Sequence, residues 1–358
     1  MAVLVVAATG VVADAWSIPG EDSLAAKLAE WGRDHGLGAL VTWLEQQQYQ
    51  HDPPPVGGTP PGGIPAVAGA VTGQPGALSS TRLPTTPLPP PAGLAPLPGE
   101  GVWHTVVAVA GRPAVQVTAR RPDAQHTSFV VGVLRMDPAL VRGRLHPGSR
   151  DPGGSWQAPS ALTGAATRGL AVAFNGGFRL TDPSHPGYYS EGRTITPLVD
   201  GQASLVLHTD GHAEVGRWNQ EIRMDSTVAS VRQNLQMLVD DGQVNPSCAT
   251  GGTQEWGSTI GQAAYIHRSG FGITATGVEI YVGGPALSVC TLGEILRAAG
   301  VIRGMELDIN PAWVSGTYYH PRPGGGTLQG FPLFPAEKVT PAHYFTASSR
   351  DFYAWTTR

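Results

Sequence analysis

The stretch "GMELDINPAW", residues 304–313, alternates three polar side chains, Glu306, Asp308 and Asn310, with three apolar ones, Met305, Leu307 and Ile309. Alternation with period two is a strand signature, and it places the three polar groups on one face about 7 Å apart from neighbour to neighbour. Two carboxylates at that separation suit general acid/base cleavage of a glycosidic bond, one serving the leaving oxygen and the other the sugar cation or a water. The competing reading is a solvated face on an edge strand. Spacing alone does not separate the two.

Two further stretches could bear on a ligand. "AFNGGF" ends an apolar run in Asn175-Gly176-Gly177, where the missing Cβ atoms permit close backbone approach; a tight turn is the alternative. "HRSGFGIT" puts Arg268 at the entry of a glycine-rich strand, where a guanidinium could fork onto phosphate or carboxylate. Ser269 has only a partial nucleophile-elbow context, because His267 occupies the first glycine's place. His208, Asp210 and His212 in "LHTDGH" flank a tight turn, which explains Asp-Gly without a metal. No phosphate loop, dinucleotide fingerprint or zinc-protease motif occurs, and no cofactor or metal is expected.

These groups must be carried by a sheet. "WHTVVAVAGRPAVQVTARR" and "TSFVVGVLRMD" read as antiparallel strands parted by turns, and "ASLVLHTDGHAEVGRW" as a hairpin about Asp210-Gly211. "STVASVRQNLQMLVDDG", from Ser226, reads as a helix stopped at Asp241-Gly242. In "GVEIYVGGPALSVCTLGEILRAAGVIRGMELDIN", Val278–Val282 is a strand. A helix capped by Thr291 and Glu294 follows and stops at Gly300, and Met305–Asn310 is a second strand, parallel to the first or a member of its sheet. The expected fold class is α+β, a mixed, largely antiparallel sheet with a few packed helices.

The chain has 358 residues, 41% hydrophobic and 14% charged, with net charge −4, which is no match for nucleic acid. Residues 1–50 open on an uncharged apolar run from Ala2 to Ala13, read as part of a truncated membrane anchor or signal. Two short amphipathic helices or one broken helix follow, with Ser23 as a cap and Leu24, Leu28 and Trp31 on one face. Residues 51–100 hold 14 of the 32 prolines between 53 and 99 and one charged residue there, Arg82, the composition of an extended spacer. Residues 101–358 form the globular domain. The two cysteines, Cys248 and Cys290, fit either one disulfide or two buried thiols.

Taken in order, "AFNGGF", "GYYSEGR", "LVLHTDG", "QMLVDDG", "HRSGFGI", "CTLGEILRAAGV" and "MELDINPAW" resemble the motif series of the phosphodiester glycosidase family. The resemblance covers roughly residues 102–320 and implies hydrolysis at an anomeric carbon whose oxygen is esterified to phosphate. It implies that Asp308 is the essential carboxylate, that Arg268 holds the phosphate, and that Asn175, Gly176 and Gly177 line the sugar-phosphate pocket. Glu306 joins Asp308 as a catalytic candidate from strand geometry. Where the family has Gly-Gly-Gly-Ser after the aspartate, this chain has Ile309, Asn310, Pro311 and Ala312, with Asn310 a candidate to replace the serine. The expected protein is an extracytoplasmic, membrane-tethered hydrolase of a sugar-1-phosphodiester or envelope glycan. The alternative is a catalytically inactive module of the same fold that binds a glycan or a partner.

Overall fold

A computed structural model describes residues 10–21, 23–51, 53–71, 82–257, 265–321 and 328–358. Most of the apolar N-terminal run, residues 1–9, lies outside the described residues. No described helix is long and apolar enough to cross a membrane.

Residues 10–16 are helical; the further described helices are α1 (Leu24–Asp34), α2 (Gly38–His51), the single turn α3 (Thr253–Trp256) and α4 (Val289–Ala298), with a few 3-10 turns. The strands in chain order are β1 (His104–Val109), β2 (Arg112–Arg120), β3 (Val131–Met136), β4 (Val141–His146), β5 (Leu170–Asn175), β6 (Tyr188–Ser190), β7 (Arg193–Thr196), β8 (Ala203–His208) and β9 (Ala213–Arg217). They continue as β10 (Val228–Gln233), β11 (Met237–Asp240), β12 (Gln243–Val244), β13 (Ile266–Thr274), β14 (Glu279–Leu287), β15 (Val301–Glu306), β16 (Gly316–His320), β17 (Gln329–Pro332) and β18 (Phe352–Thr357).

Three sheets result. The largest runs β1-β2-β3-β14-β13-β15-β11-β12, and the others β7-β6-β10-β8-β9 and β17-β16-β5-β18-β4. All ladders between these strands are antiparallel, as expected for a largely antiparallel sheet built from hairpins. The inner faces share one core in which Phe174 stacks on Tyr281, centroids 4.3 Å apart, and on Trp355, 4.8 Å apart.

β14 and β15 do belong to one sheet, but they are not neighbours. β13 lies between them, pairing Phe271 with Tyr281 on one side and Met305 on the other. α4 packs over this centre, and a Cβ at Gly270 would sit 3.2 Å from Leu292 and Leu296. The helix cap is Ser288, whose Oγ accepts from the Thr291 amide at 3.0 Å; Thr291 is therefore inside the first turn rather than its cap.

The segment from Ser226 is two successive strands in different sheets, β10 paired with β6 and β8 and β11 paired with β15 and β12, and not a helix. Val228 and Val231 pair into the sheet with β8, and Leu235 at the turn takes φ 56°, a left-handed value that no helix interior admits. Pairing with β6 and β8 prevails here over the three-and-four spacing.

The proline-rich segment is extended, but its described parts are not a detached spacer. The amide of Gly57 donates to Gln125 O at 2.6 Å, the amide of Val71 to Thr105 O at 2.8 Å, and the Tyr318 hydroxyl to Ala68 O at 2.9 Å. Leu83 and Leu88 are buried against the domain. A backbone with few internal hydrogen bonds finds its partners on the sheet instead of in water. Cys248 and Cys290 are joined, Cα atoms 5.1 Å apart, fixing the 3-10 turn before α3 to the start of α4.

Candidate active site

Asp308 sits where the chain leaves β15 for the sheet of β16. The strand proper ends at Glu306, but pairing with β13 continues, since the Leu307 amide donates to Ser269 O and the Ser269 amide to Asp308 O, both at 2.8 Å. The carboxylate then turns toward Arg350 at the head of β18. Its Oδ1 accepts from the amides of Ile309 at 2.7 Å and Asn310 at 2.9 Å, and Oδ2 lies 3.4 Å from Arg350 Nη2. Asp308 is only 4% exposed. Burial raises its pKa to about 6, against the opposing pull of Arg350 and the two amides.

Arg350 is the hub of this wall. Nη2 also donates to Gly177 O at 2.9 Å, Nε lies 3.4 Å from Asp151 Oδ2, and the guanidinium sits 5.3 Å from the centre of the Trp313 ring. Behind it, Asp351 accepts from Arg232 Nε at 2.8 Å in a fully buried pair. The cleft in front has a volume of about 550 Å³. Asp308, Asn310, Trp313, Arg350, Phe178 and Arg179 form one side and the N-terminal helices close the other, with Gly36 and Thr42 among their lining residues.

The structure separates the residues singled out in the sequence. Asp308 and Asn310 line the cleft; Glu306 and Arg268 do not. Arg268, 1% exposed, donates from Nη1 to Glu306 Oε1 at 2.5 Å and from Nε to Leu287 O at 2.9 Å. Glu306 is fully buried and its pKa is raised, by burial first and by the nearby Asp308 charge, with Arg268 opposing. Arg268 therefore has no face to offer a phosphate, and Glu306 none to offer a sugar. The cause is the inward face of the central sheet, where the alternation that made Glu306 look like a site residue points it at Arg268.

Asn175 is a structural junction. Its Nδ2 donates to Gly176 O at 2.7 Å and Ser269 Oγ at 2.9 Å, while Oδ1 accepts from Tyr281 at 2.8 Å and the Ser315 amide at 3.1 Å. All its hydrogen-bonding capacity is taken within the protein. Gly176 is required by close approach, since a Cβ would stand 2.5 Å from the Asp351 carboxylate. Gly177 contributes its carbonyl to Arg350. Asn310 caps its own turn, Oδ1 accepting from the Ala312 amide at 2.9 Å. Ser269 is wholly buried and bonded to Asp308 and Asn175, which removes it as a nucleophile.

Sequence reasoning missed Arg350, Asp351, Arg179, Arg232 and Asp151. One signal was present: "SSRDFYAW" sets a charged Arg-Asp pair at the head of an aromatic strand, a pair that must be satisfied once buried. Among the described residues no group of three or more His, Cys, Asp or Glu could hold a metal ion.

Residues 168–308, ending at Asp308 itself, match the phosphodiester glycosidase family model. Over that stretch the chain is similar to a phosphodiester glycosidase domain. Among solved structures it is similar to the zebrafish N-acetylglucosamine-1-phosphodiester alpha-N-acetylglucosaminidase catalytic domain, described as auto-inhibited by its pro-peptide. Identity is 13%, over 70% of this chain and 85% of that one, with TM-score 0.46. A hypothetical protein from Synechocystis matches at 12% identity over 71% of this chain and 65% of that one, TM-score 0.37. A search of curated proteins finds no match.

Proposed function

We propose that this protein hydrolyses the glycosidic C1–O bond of a sugar-1-phosphodiester outside the cytoplasm. The observation that carries the reading is Asp308, a buried carboxylate opening onto a cleft beside Arg350. A phosphate monoester is a good leaving group and needs little protonation. The demand on the site is therefore to stabilise positive charge developing at C1 and to aim water at it, work for an ionised carboxylate. Water adds to C1, the C1–O bond breaks toward the phosphate, and the proton of the water passes to solvent or to the carboxylate. Trp313 offers an apolar face to the sugar ring.

Two features support the setting. A disulfide persists in oxidising compartments. The N-terminal helices leave Trp16, Leu40, Trp43 and Leu44 at least half exposed, a surface suited to a membrane interface. The alternative, an inactive module that binds a glycan or a partner, has in its favour the Asn310 turn, which replaces the glycine run the family carries.

A panel of N-acetylglucosamine-1-phosphodiesters tests the reading. Wild type should release free sugar and Asp308→Asn should not, while still unfolding in one cooperative transition no lower in temperature than wild type's. Binding without release by wild type would favour the inactive module.

A further inference from the structure

A second groove lies on the seam between two sheets, away from Asp308. Its volume is about 600 Å³, and it shares no lining residue with the cleft that Asp308 opens onto. Its floor is the margin of one sheet, where β4 is the outermost strand and pairs with β18. Arg142 and Arg144 share one face of β4 and stand opposite Thr356 and Ala354. Thr356 lies about 13 Å along β18 from Phe352 at its head. Arg168 forms one wall, and the end of β8 with the turn between β6 and β7 forms the other.

The lining is cationic in a protein whose net charge is −4. Arg142, Arg144 and Arg168 are exposed, and Glu191 is the one carboxylate among the described lining residues. That carboxylate is already held. It accepts from the amides of Gln157 at 2.8 Å and Ala158 at 2.7 Å, and Arg144 reaches it only at 3.5 Å. The Arg142 side chain makes one long contact, Nε to Thr356 Oγ1 at 3.4 Å. His146 adds no charge at neutral pH, since burial pushes its pKa down to about 4. Room for a ligand comes from small residues on every side, Gly143, Ala165, Ala166, Gly192 and Ala229.

The groove's chemistry narrows what fits it. No Trp, Tyr or Phe occurs among the described lining residues, so a nucleobase or a neutral sugar ring has no platform to stack on. An acidic peptide fits poorly too, because matching both arginines would require an extended strand added to the edge of β4. That edge is taken. The Gly143 amide donates to Gly211 O at 2.7 Å, and a Cβ on Gly211 would sit 2.5 Å from Arg142 Cβ. What remains is a slim chain without rings that repeats a negative charge at about the 7 Å spacing of alternate strand residues. Phosphodiesters joined by short polyol linkers have that form, and their oxygens accept the guanidinium fork.

We infer that this groove is a binding site for an anionic polyol-phosphate chain. Arg142 and Arg144 on the floor and Arg168 on the wall take its successive phosphates. The site is separate from the Asp308 cleft and does not depend on the glycosidase reading.

The probe is an oligomer of glycerol phosphate, titrated calorimetrically into the full chain at fixed ionic strength. Binding by wild type should saturate. R142Q/R144Q should weaken it roughly tenfold or more and lower the slope of log affinity against log salt by about 1.4, the share of two phosphate contacts. Arg179→Gln, in the other cleft, should leave the affinity unchanged. No saturable binding by wild type, or a loss caused by Arg179→Gln and not by R142Q/R144Q, would overturn the inference. So would hexaglutamate binding as tightly as the phosphate oligomer, since the groove would then read charge or an acidic peptide. Should the double variant fail to fold, Arg168→Gln decides, and an unchanged affinity there counts against the site. Release of sugar from short N-acetylglucosamine-1-phosphodiesters should be equal in wild type and R142Q/R144Q. A slower release by the double variant would place these arginines in the reacting cleft and sink the separate site. Wild type that binds the oligomer but releases no sugar would keep this site and discard the glycosidase reading.

Discussion

Arg268 and Glu306 form a closed pair, Nη1 to Oε1 at 2.5 Å, between the two strands β13 and β15, the second of which leads into Asp308. Removing one partner of such a pair leaves the other charge buried alone, which costs about 3–5 kcal/mol. Glu306→Ala should therefore lower the unfolding midpoint steeply by denaturant titration. The milder Glu306→Gln, if it folds, should keep most of the wild-type sugar release. A folded Glu306→Gln with no activity would return Glu306 to the reacting centre.

The pH profile should follow Asp308. Its working form in the proposed reaction is the carboxylate, so kcat/KM should fall as pH drops through about 6 and level off above it. A profile that instead declines as pH rises through 6 would make Asp308 a proton donor.

The same residue bears on stability with a definite sign. Its folded pKa of about 6 stands above the ordinary aspartate value of 3.8, so the folded chain holds the proton more tightly. Stability is then lost as pH rises from about 4 to about 6 and is flat beyond. Asp308→Asn should be more stable than wild type at pH 8 by about 1–3 kcal/mol, with the difference vanishing toward pH 4. Guanidinium unfolding at the two pH values measures it.

Glu279 repeats this logic inside the core. It accepts from the Ala213 amide at 3.0 Å and Trp355 Nε1 at 2.7 Å, tying β14 to β9 and β18, and burial lifts its pKa to about 8 despite those bonds. Stability should decline as pH rises from about 4.5 to about 8, and Glu279→Gln should flatten that slope. Glu279→Ala strands two donors and should cost roughly 2–5 kcal/mol. Thermal melts across pH 5–9 distinguish the three proteins.

Reduction of Cys248–Cys290 releases a loop of 42 residues' separation. Loop-closure entropy puts the loss near 4 kcal/mol, and α4 with its seat on β13 is the element that should loosen first. Melting with and without reductant, against Cys248→Ser, checks it.

Much of the fold was legible because hairpins announce themselves: β8–β9 turns at Asp210-Gly211, and β1, β2 and β3 alternate visibly. Strands β10 and β11 were not, because Val228, Val231 and Leu235 keep the three-and-four spacing of a helix, and the pairing of β10 with β8 carries a register shift between Val228 and Ser230. Asp308 was singled out through its place in an ordered motif series, and it lines the cleft. Arg350 and Arg179 were not, since a lone arginine carries no period, and only the folded seam between sheets brings Gly177, Asp308 and Arg350 together. Glu306 misled for a physical reason: alternation tells which side chains share a face, not which face meets solvent.

The cleft has walls of unequal stiffness. Asp308 is clamped on both sides of its peptide to Ser269 in the middle of an eight-stranded sheet, so its main chain yields only if that sheet parts. The opposite wall, α1, meets the domain through Arg150, Arg179 and Arg350, contacts that weaken with ionic strength while the ladder does not. Salt, more than heat, should set how wide the cleft stands open.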